Sequence, residues 1–210
     1  QFTSSMGYRV DGRTNGSATM KAVLGAGEVQ ADIVVDSISI NDLAVPSIWL
    51  RSRWDFIQNR AGILVQQREN LDTLVRGFYA PSQKRYYARA TLDAVELSAL
   101  DPLLKGVVER TGGNADVDIA LRGSGKEANL SGQIAVRDFT TTVDFTQVTY
   151  TMPRAVIEVK NNHLIAEGVP LYDPEKNEGL FSIDLNLEHL SNIFYSVKVL
   201  PKELMVLNTT

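Results

Sequence analysis

Residues Asp116 to Arg122 read Asp-Val-Asp-Ile-Ala-Leu-Arg, and the same two-residue beat returns at Phe181-Ser-Ile-Asp-Leu-Asn-Leu-Glu and, more weakly, along most of the chain. Successive side chains of a β-strand point to opposite sides, so a chain written this way carries one aliphatic surface and one polar surface. The stretch Ser47 to Ile57 shows it most clearly: Ile48, Leu50, Trp54 and Phe56 fall on one side, and Arg51, Arg53 and Asp55 on the other. What the aliphatic surface faces decides what such a protein does.

Composition narrows the choices. The 210 residues suffice for one large domain or two small ones. A charged fraction of 22% and a hydrophobic fraction of 44% are ordinary for a soluble globular protein and argue against disorder. The net charge of -4 supplies no basic field for nucleic acid, which is not an expected partner. Cysteine is absent, removing disulfides, thiol nucleophiles and thiolate metal sites together, and this fits a cytosolic or a periplasmic chain equally. No stretch approaches the roughly 20 apolar residues of a membrane-spanning helix. No signal peptide precedes Gln1 and the chain starts without methionine, so it reads as a piece of a longer protein.

The turn signals Asp11-Gly12 and Asn15-Gly16, in a Gly/Ser/Thr-rich opening from Gln1 to Gly27, predict tight hairpins. Strands are expected near 33–40, 47–57, 62–67, 74–79 and 85–92, and again at 114–122, 130–137, 139–145, 147–152, 154–160, 163–166, 180–187, 194–200 and 204–207. Gly123-Ser-Gly-Lys, Pro153, Asn161-Asn162 and the loop from Asp173 to Gly179 punctuate them. Connections this short argue for an antiparallel meander of roughly a dozen strands, since parallel neighbours need long crossovers. One segment breaks the beat. Over Leu97 to Arg110, Asp101 can cap a short amphipathic helix with Pro102 at its first position, Leu103, Leu104, Val107 and Val108 as its stripe and Gly112 as terminator. Gly106 weakens that helix by about 1 kcal/mol relative to Ala, so packing must hold it. It serves either as a connector closing one end of the core or as a lid. The organisation is thus one continuous segment over 1–210: a first group of strands at 1–92, the helix and connector at 93–113, and a second group at 114–210.

Chemistry is sparse. The two histidines, His163 and His189, lie in no catalytic context, and neither Gly-x-Ser-x-Gly nor His-Glu-x-x-His occurs. Gly123-Ser-Gly-Lys lacks phosphate-loop spacing, and Gly25-Ala-Gly27 lacks the strand–loop–helix context of a dinucleotide site. Asp116 and Asp118 fall on the outward side of an alternating strand, where solvation accounts for them and a calcium ion would need further ligands. The cluster Tyr79, Lys84, Arg85, Tyr86, Tyr87 and Arg89 is either a solvated hairpin edge with aromatic cross-strand pairs or a surface for anionic headgroups or stacked bases. No catalytic residue, cofactor or metal is expected, and the chain is not expected to be an enzyme.

From Arg89 onward the order of pieces is specific. Asp93-Ala-Val-Glu-Leu, Leu100-Asp-Pro-Leu-Leu-Lys-Gly, Gly113-Asn-Ala-Asp-Val-Asp-Ile-Ala-Leu-Arg-Gly and Leu130-Ser-Gly-Gln-Ile-Ala-Val follow one another. Thr142-Val-Asp-Phe, Thr149-Tyr150, the Asp173, Asn177 and Gly179 hairpin, His189 and Leu204-Met-Val-Leu-Asn-Thr continue the series. This run resembles the C-terminal region of the TamB family, the inner-membrane component of a translocation and assembly module in the AsmA-like superfamily. The resemblance implies a β-taco, an elongated antiparallel sheet bent into an open hydrophobic trough. It also implies the periplasmic portion of a protein anchored in the inner membrane of a Gram-negative bacterium, an outer-membrane barrel partner, and carriage of phospholipid between the two membranes in support of outer-membrane biogenesis. The anchor itself is not in this stretch.

The expected lipid-groove face, contacting phospholipid acyl chains, comprises Ile48, Leu50, Trp54, Phe56, Val117, Ile119, Leu121, Ile134, Val136, Val143, Phe145, Ile157, Val159, Phe181, Ile183, Leu185 and Leu187. Alternation by itself favours the core of a closed sandwich for these residues, and the resemblance turns the expectation to the open groove. Two other functions stand beside lipid carriage: a chaperone-like module that assists outer-membrane protein assembly or secretion by strand addition, and a non-enzymatic adhesive or glycan-binding sandwich.

Overall fold

Long alternating segments joined by brief polar turns form strands, and the computed structural model is mainly β with almost no helix. It describes residues 2–3, 9–23, 26–40, 43–187 and 194–205. The strands are β1 (Phe2–Thr3), β2 (Arg9–Val23), β3 (Ala26–Ile40), β4 (Leu43–Val45), β5 (Ile48–Asp55), β6 (Arg60–Gln67), β7 (Thr73–Ala80) and β8 (Arg85–Glu96). They continue with β9 (Val108–Ser124), β10 (Glu127–Val143), β11 (Val148–Lys160), β12 (His163–Tyr172), β13 (Glu178–Asn186) and β14 (Phe194–Pro201). All fourteen belong to one sheet whose order follows the chain, except that β4 and β5 both pair with β3. β1 and β14 end the order, so the sheet is open, an antiparallel meander rather than a barrel or a two-sheet sandwich.

Several local expectations are corrected. Asp11-Gly12 and Asn15-Gly16 make no hairpins. Both lie inside β2, with a register shift between Asp11 and Arg13 and with Asn15 and Gly16 opposite Val34 and Ile33. Gly16 serves close approach instead: a Cβ there would stand 2.9 Å from the Asp32 carbonyl oxygen. The helix over 97–110 shrinks to a 3-10 turn at Leu97–Leu100 and one α-helical turn, α1 (Asp101–Leu104). Asp101 does not cap it; its Oδ1 accepts the Thr111 N–H at 3.1 Å. Gly106, at φ +86°, turns the chain, Val107 is exposed, and Val108 and Gly112 belong to β9. A single turn recovers too few hydrogen bonds to outcompete the adjoining strand. The side chain of Leu103 lies outside the described residues, as do Gly25, His189, Val206 and Leu207; Leu204 and Met205 are not strand.

The strand boundaries expected at Asp138 and Pro153 are instead steps within continuous strands. Val136 pairs with Ala155 and Phe139 with Met152, and Val136, Ala155 and Met152 are buried while Asp138, Pro153 and Arg154 are exposed. The apolar alternation thus slips by one residue in both strands at the same place. Asp138, at φ +50°, supplies the turn of the backbone. Asn161 and Asn162, at φ +50° and +66°, make the β11–β12 hairpin as their residue types predict.

The chain divides into two compact units, 1–91 with 120–129, and 92–119 with 130–210. In the first, β3, β5, β6, β7 and β8 form a single layer; among its described residues only Ala80 is buried. The second unit has a core: Leu97, Ala115, Val136, Met152, Ala155, Ala166, Val169, Leu171 and Leu204 form one cluster, with Ile134, Phe139, Tyr150, Ile157, Phe181 and Ile183 packed against it.

Candidate functional site

Cross-strand partners share a face, so the register sorts the first unit's side chains. Val29, Ala31, Ile33 and Val35 of β3 stand beside Trp54, Ser52, Leu50 and Ile48 of β5. Those in turn neighbour Ala61, Ile63, Val65 and Gln67 of β6. The row continues through Val75, Gly77 and Tyr79 of β7 to Ala90, Ala88 and Tyr86 of β8. This face is almost wholly apolar across five strands, and among the described residues no second layer buries it. Ile63, in its middle, keeps 40% of its surface exposed.

The opposite face carries the charge. Arg53 donates to Glu28 Oε2 at 2.6 Å and Arg51 to Gln66 Oε1 at 2.7 Å. Arginines also cover aromatic rings, with Arg51 3.8 Å over Trp49, Arg60 3.9 Å over Phe78 and Arg122 5.6 Å over Tyr87. A depression of about 420 Å³ beside Phe78 is lined by Arg53, Asp55, Gln58, Arg60, Gly62 and Gly77. The basic-aromatic cluster expected at 79–89 is the β7–β8 hairpin and is split between the faces: Tyr79 pairs with Tyr86 on the apolar side, and Phe78 with Tyr87 on the charged one. Tyr86 lies across Gly123 and its hydroxyl donates to the Glu127 carbonyl at 2.9 Å.

The expected groove residues divide accordingly. Ile48, Leu50 and Trp54 lie on the first unit's open apolar face. Arg122 sits over Tyr87 on the charged face, which by alternation places Leu121 on the apolar one. Ile134, Val136, Ile157, Phe181 and Ile183 line the second unit's cluster, whereas Val159 is buried beside Leu164, itself the partner of Leu185. Val117 and Ile119 share the side of β9 that carries buried Ala115, Val143 pairs with buried Val148, and Leu187 follows β13 with its N–H on the Asn162 carbonyl. One placement is corrected. Phe145 projects from the β10–β11 turn at 89% exposure, where the strand and its alternation have ended. Phe56, one residue past β5, keeps the side of Trp54: the two rings lie 6.2 Å apart, and the Phe56 ring covers Gly27 while its N–H donates to the Gly27 carbonyl at 3.1 Å.

Three polar features escaped the sequence reading. Asp116, expected to be merely solvated, is held in a two-pronged ion pair by Arg137 and also accepts the Ala94 N–H at 2.9 Å. The hydrogen bonds from Arg137, then Ala94, hold its carboxyl below the ordinary range. Asp173 is 3% exposed. Its carboxylate accepts hydrogen bonds from the N–H groups of Glu175, Asn177 and Met205 and from Asn177 Nδ2, at 2.8 to 2.9 Å. Burial alone would raise the Asp173 carboxyl, but these four donors outweigh it and hold the group below its ordinary value. Tyr150 donates to the Met205 carbonyl at 2.7 Å; burial and then the Asp173 charge push its hydroxyl up. An Asp-Pro turn with Asn four residues on was the only advance signal of this network.

His163 Nδ1 lies 2.8 Å from Asp184 Oδ1 across β12 and β13. Among the described residues no group of three or more His, Asp or Glu side chains is placed to hold a metal, and no helix is long and apolar enough to cross a membrane. No family model, curated protein or solved structure matches the chain.

Proposed function

We propose that this chain is a lipid-carrying segment of a TamB-like protein, in which the open aliphatic face accepts phospholipid acyl chains. The observation that carries the reading is the first unit's apolar face, running from Val29 to Ala90 across five strands with only Ala80 buried among the described residues of that unit. Removing apolar area from water is worth about 25 cal/mol per Å², so such a face gains from any apolar cover. Acyl chains suit it because its polar members, Ser52, Gln67, Tyr79 and Tyr86, are few and stand apart among aliphatic side chains. In this reading the parent protein is anchored in the inner membrane and spans the periplasm toward a barrel partner in the outer membrane. The test is native mass spectrometry of the detergent-free chain: phospholipid adducts are expected, lost in Leu50→Asp and retained in Arg76→Glu. Spectra in which the folded protein never carries phospholipid overturn the reading.

A second reading, strand addition to a nascent barrel protein, draws on β14. Among the described residues it pairs only with β13, and its Val197, Val199 and Leu200 are exposed. Proline at Lys198 would then abolish function while Leu50→Asp would not.

A further inference from the structure

Residues 202–205, after β14, are not strand. Lys202 donates its N–H to the Glu178 carbonyl at 3.0 Å, Glu203 adopts φ +61°, and the chain returns so that Leu204 lies on Gly179, 7% exposed within the second unit's apolar cluster. Neither backbone group of Met205 is held by a strand. Its N–H goes to Asp173 and its carbonyl to the Tyr150 hydroxyl. Leu204 is therefore fastened by two side chains from elsewhere in the fold.

What Leu204 covers is the end of a row. Gly179, Phe181 and Ile183 alternate along one face of β13, and the last two pair with Val199 and Val197. Those valines are 45% and 52% exposed. An alkyl chain laid along Ile183–Val197 and then Phe181–Val199 arrives at the notch over Gly179, where the Leu204 isobutyl group already sits. The notch exists because position 179 has no side chain.

We infer that this notch is an alkyl-chain subsite of the second unit and that Leu204 is its resident occupant, a strap that lifts when an acyl chain enters. The inference rests on the reading of the chain as a lipid carrier and adds to it where a chain terminus is received and what must move first. The leucine shows that a saturated hydrocarbon group fits, the row leads an extended chain to it, and the two-bond clasp gives a defined point of release.

The test is photo-crosslinking of the full chain with palmitic acid bearing a terminal diazirine, read by peptide mapping. Leu204→Ala empties the notch, and labelling of the peptides around Leu171, Gly179 and Val199 is expected to rise about five-fold or more over wild type. Tyr150→Phe removes one of the two bonds to Met205 and keeps the leucine, so a smaller rise at the same peptides is expected, and it carries the test if Leu204→Ala does not fold. Unchanged labelling at those peptides in folded Tyr150→Phe overturns the inference. Labelling confined to the β5–β7 peptides around Leu50 and Val65 overturns the subsite while leaving the lipid reading intact; absence of labelling anywhere overturns both.

Discussion

Leu204 and Gly179 are packed so tightly that a Cβ built on Gly179 would stand 2.1 Å from Leu204 Cδ1 and 2.9 Å from its Cγ. Gly179 has an ordinary strand conformation and pairs with both Leu171 and Pro201, so its lack of a side chain serves the leucine rather than the backbone. Gly179→Ala is accordingly expected to cost about 1 to 3 kcal/mol through overpacking. Leu204→Ala in the same chain is expected to return part of that loss. A double-mutant cycle by urea denaturation measures the coupling, and additive single effects would refute the contact.

The Asp173 network makes a pH-dependent contribution. Its carboxyl is depressed below the ordinary 3.8 in the folded chain, so the stabilisation is complete above that value and is lost as pH falls through the lower folded value. Tyr150, Glu175, Lys176, Glu178, Lys202 and Glu203 are the titratable neighbours along the same loop and strap; Tyr150 is pushed up and stays neutral in this range. The amide proton of Met205, followed by NMR, is expected to keep its hydrogen-bonded shift at pH 4 and lose it only below. A midpoint above 3.8 would contradict the geometry.

The two units are expected to answer differently to a buried charge. Ile63→Asp, on the open face, is expected to lower stability by about 1 kcal/mol or less, because the carboxylate stays in water. Val159→Asp, at a position 3% exposed, is expected to cost more than about 4 kcal/mol and to abolish the cooperative transition of the second unit. Denaturant titration followed by far-UV circular dichroism distinguishes them; equal losses would mean that the first unit's apolar face is covered.

At Asp138 the left-handed conformation, φ +50°, makes the alternation slip. Most residues pay about 1 to 2 kcal/mol for that backbone, and glycine pays none. Asp138→Gly is therefore expected to be neutral or stabilising by up to about 1 kcal/mol, the reverse of the usual effect of glycine in a strand, while Asp138→Val is destabilising. Thermal denaturation of the two variants decides the sign.

Much of the fold was legible because alternation is a local property. The dry side of β5 and the Asn161-Asn162 hairpin each follow from residues adjacent in sequence, whereas the step at Asp138 reads as a strand boundary until its pairing with β11 is known. The failures share one cause. Asn15-Gly16 has the chemistry of a turn, but pairing with Val34 and Ile33 outweighed it. The helix expected over Leu97 to Arg110 ends at Leu104, and Val108 to Arg110 went to β9 for the same reason. Phe145 continues the written beat beyond the strand that gives it meaning.

What the sequence determined by itself is that nearly every strand has one apolar side, since that needs only the two-residue period and the side-chain types. Whether an apolar side becomes core or stays open was decided by tertiary structure. In the second unit, Leu97 and Leu204 return from turns outside the strands to join the cluster on that side, and Asp173 and Tyr150 hold the second of these returns in place. In the first unit no described segment does so, and the same alternation leaves Leu50, Ile63 and Val65 on an open face. Burial depends on which distant segment arrives, and the period of a strand holds no record of that.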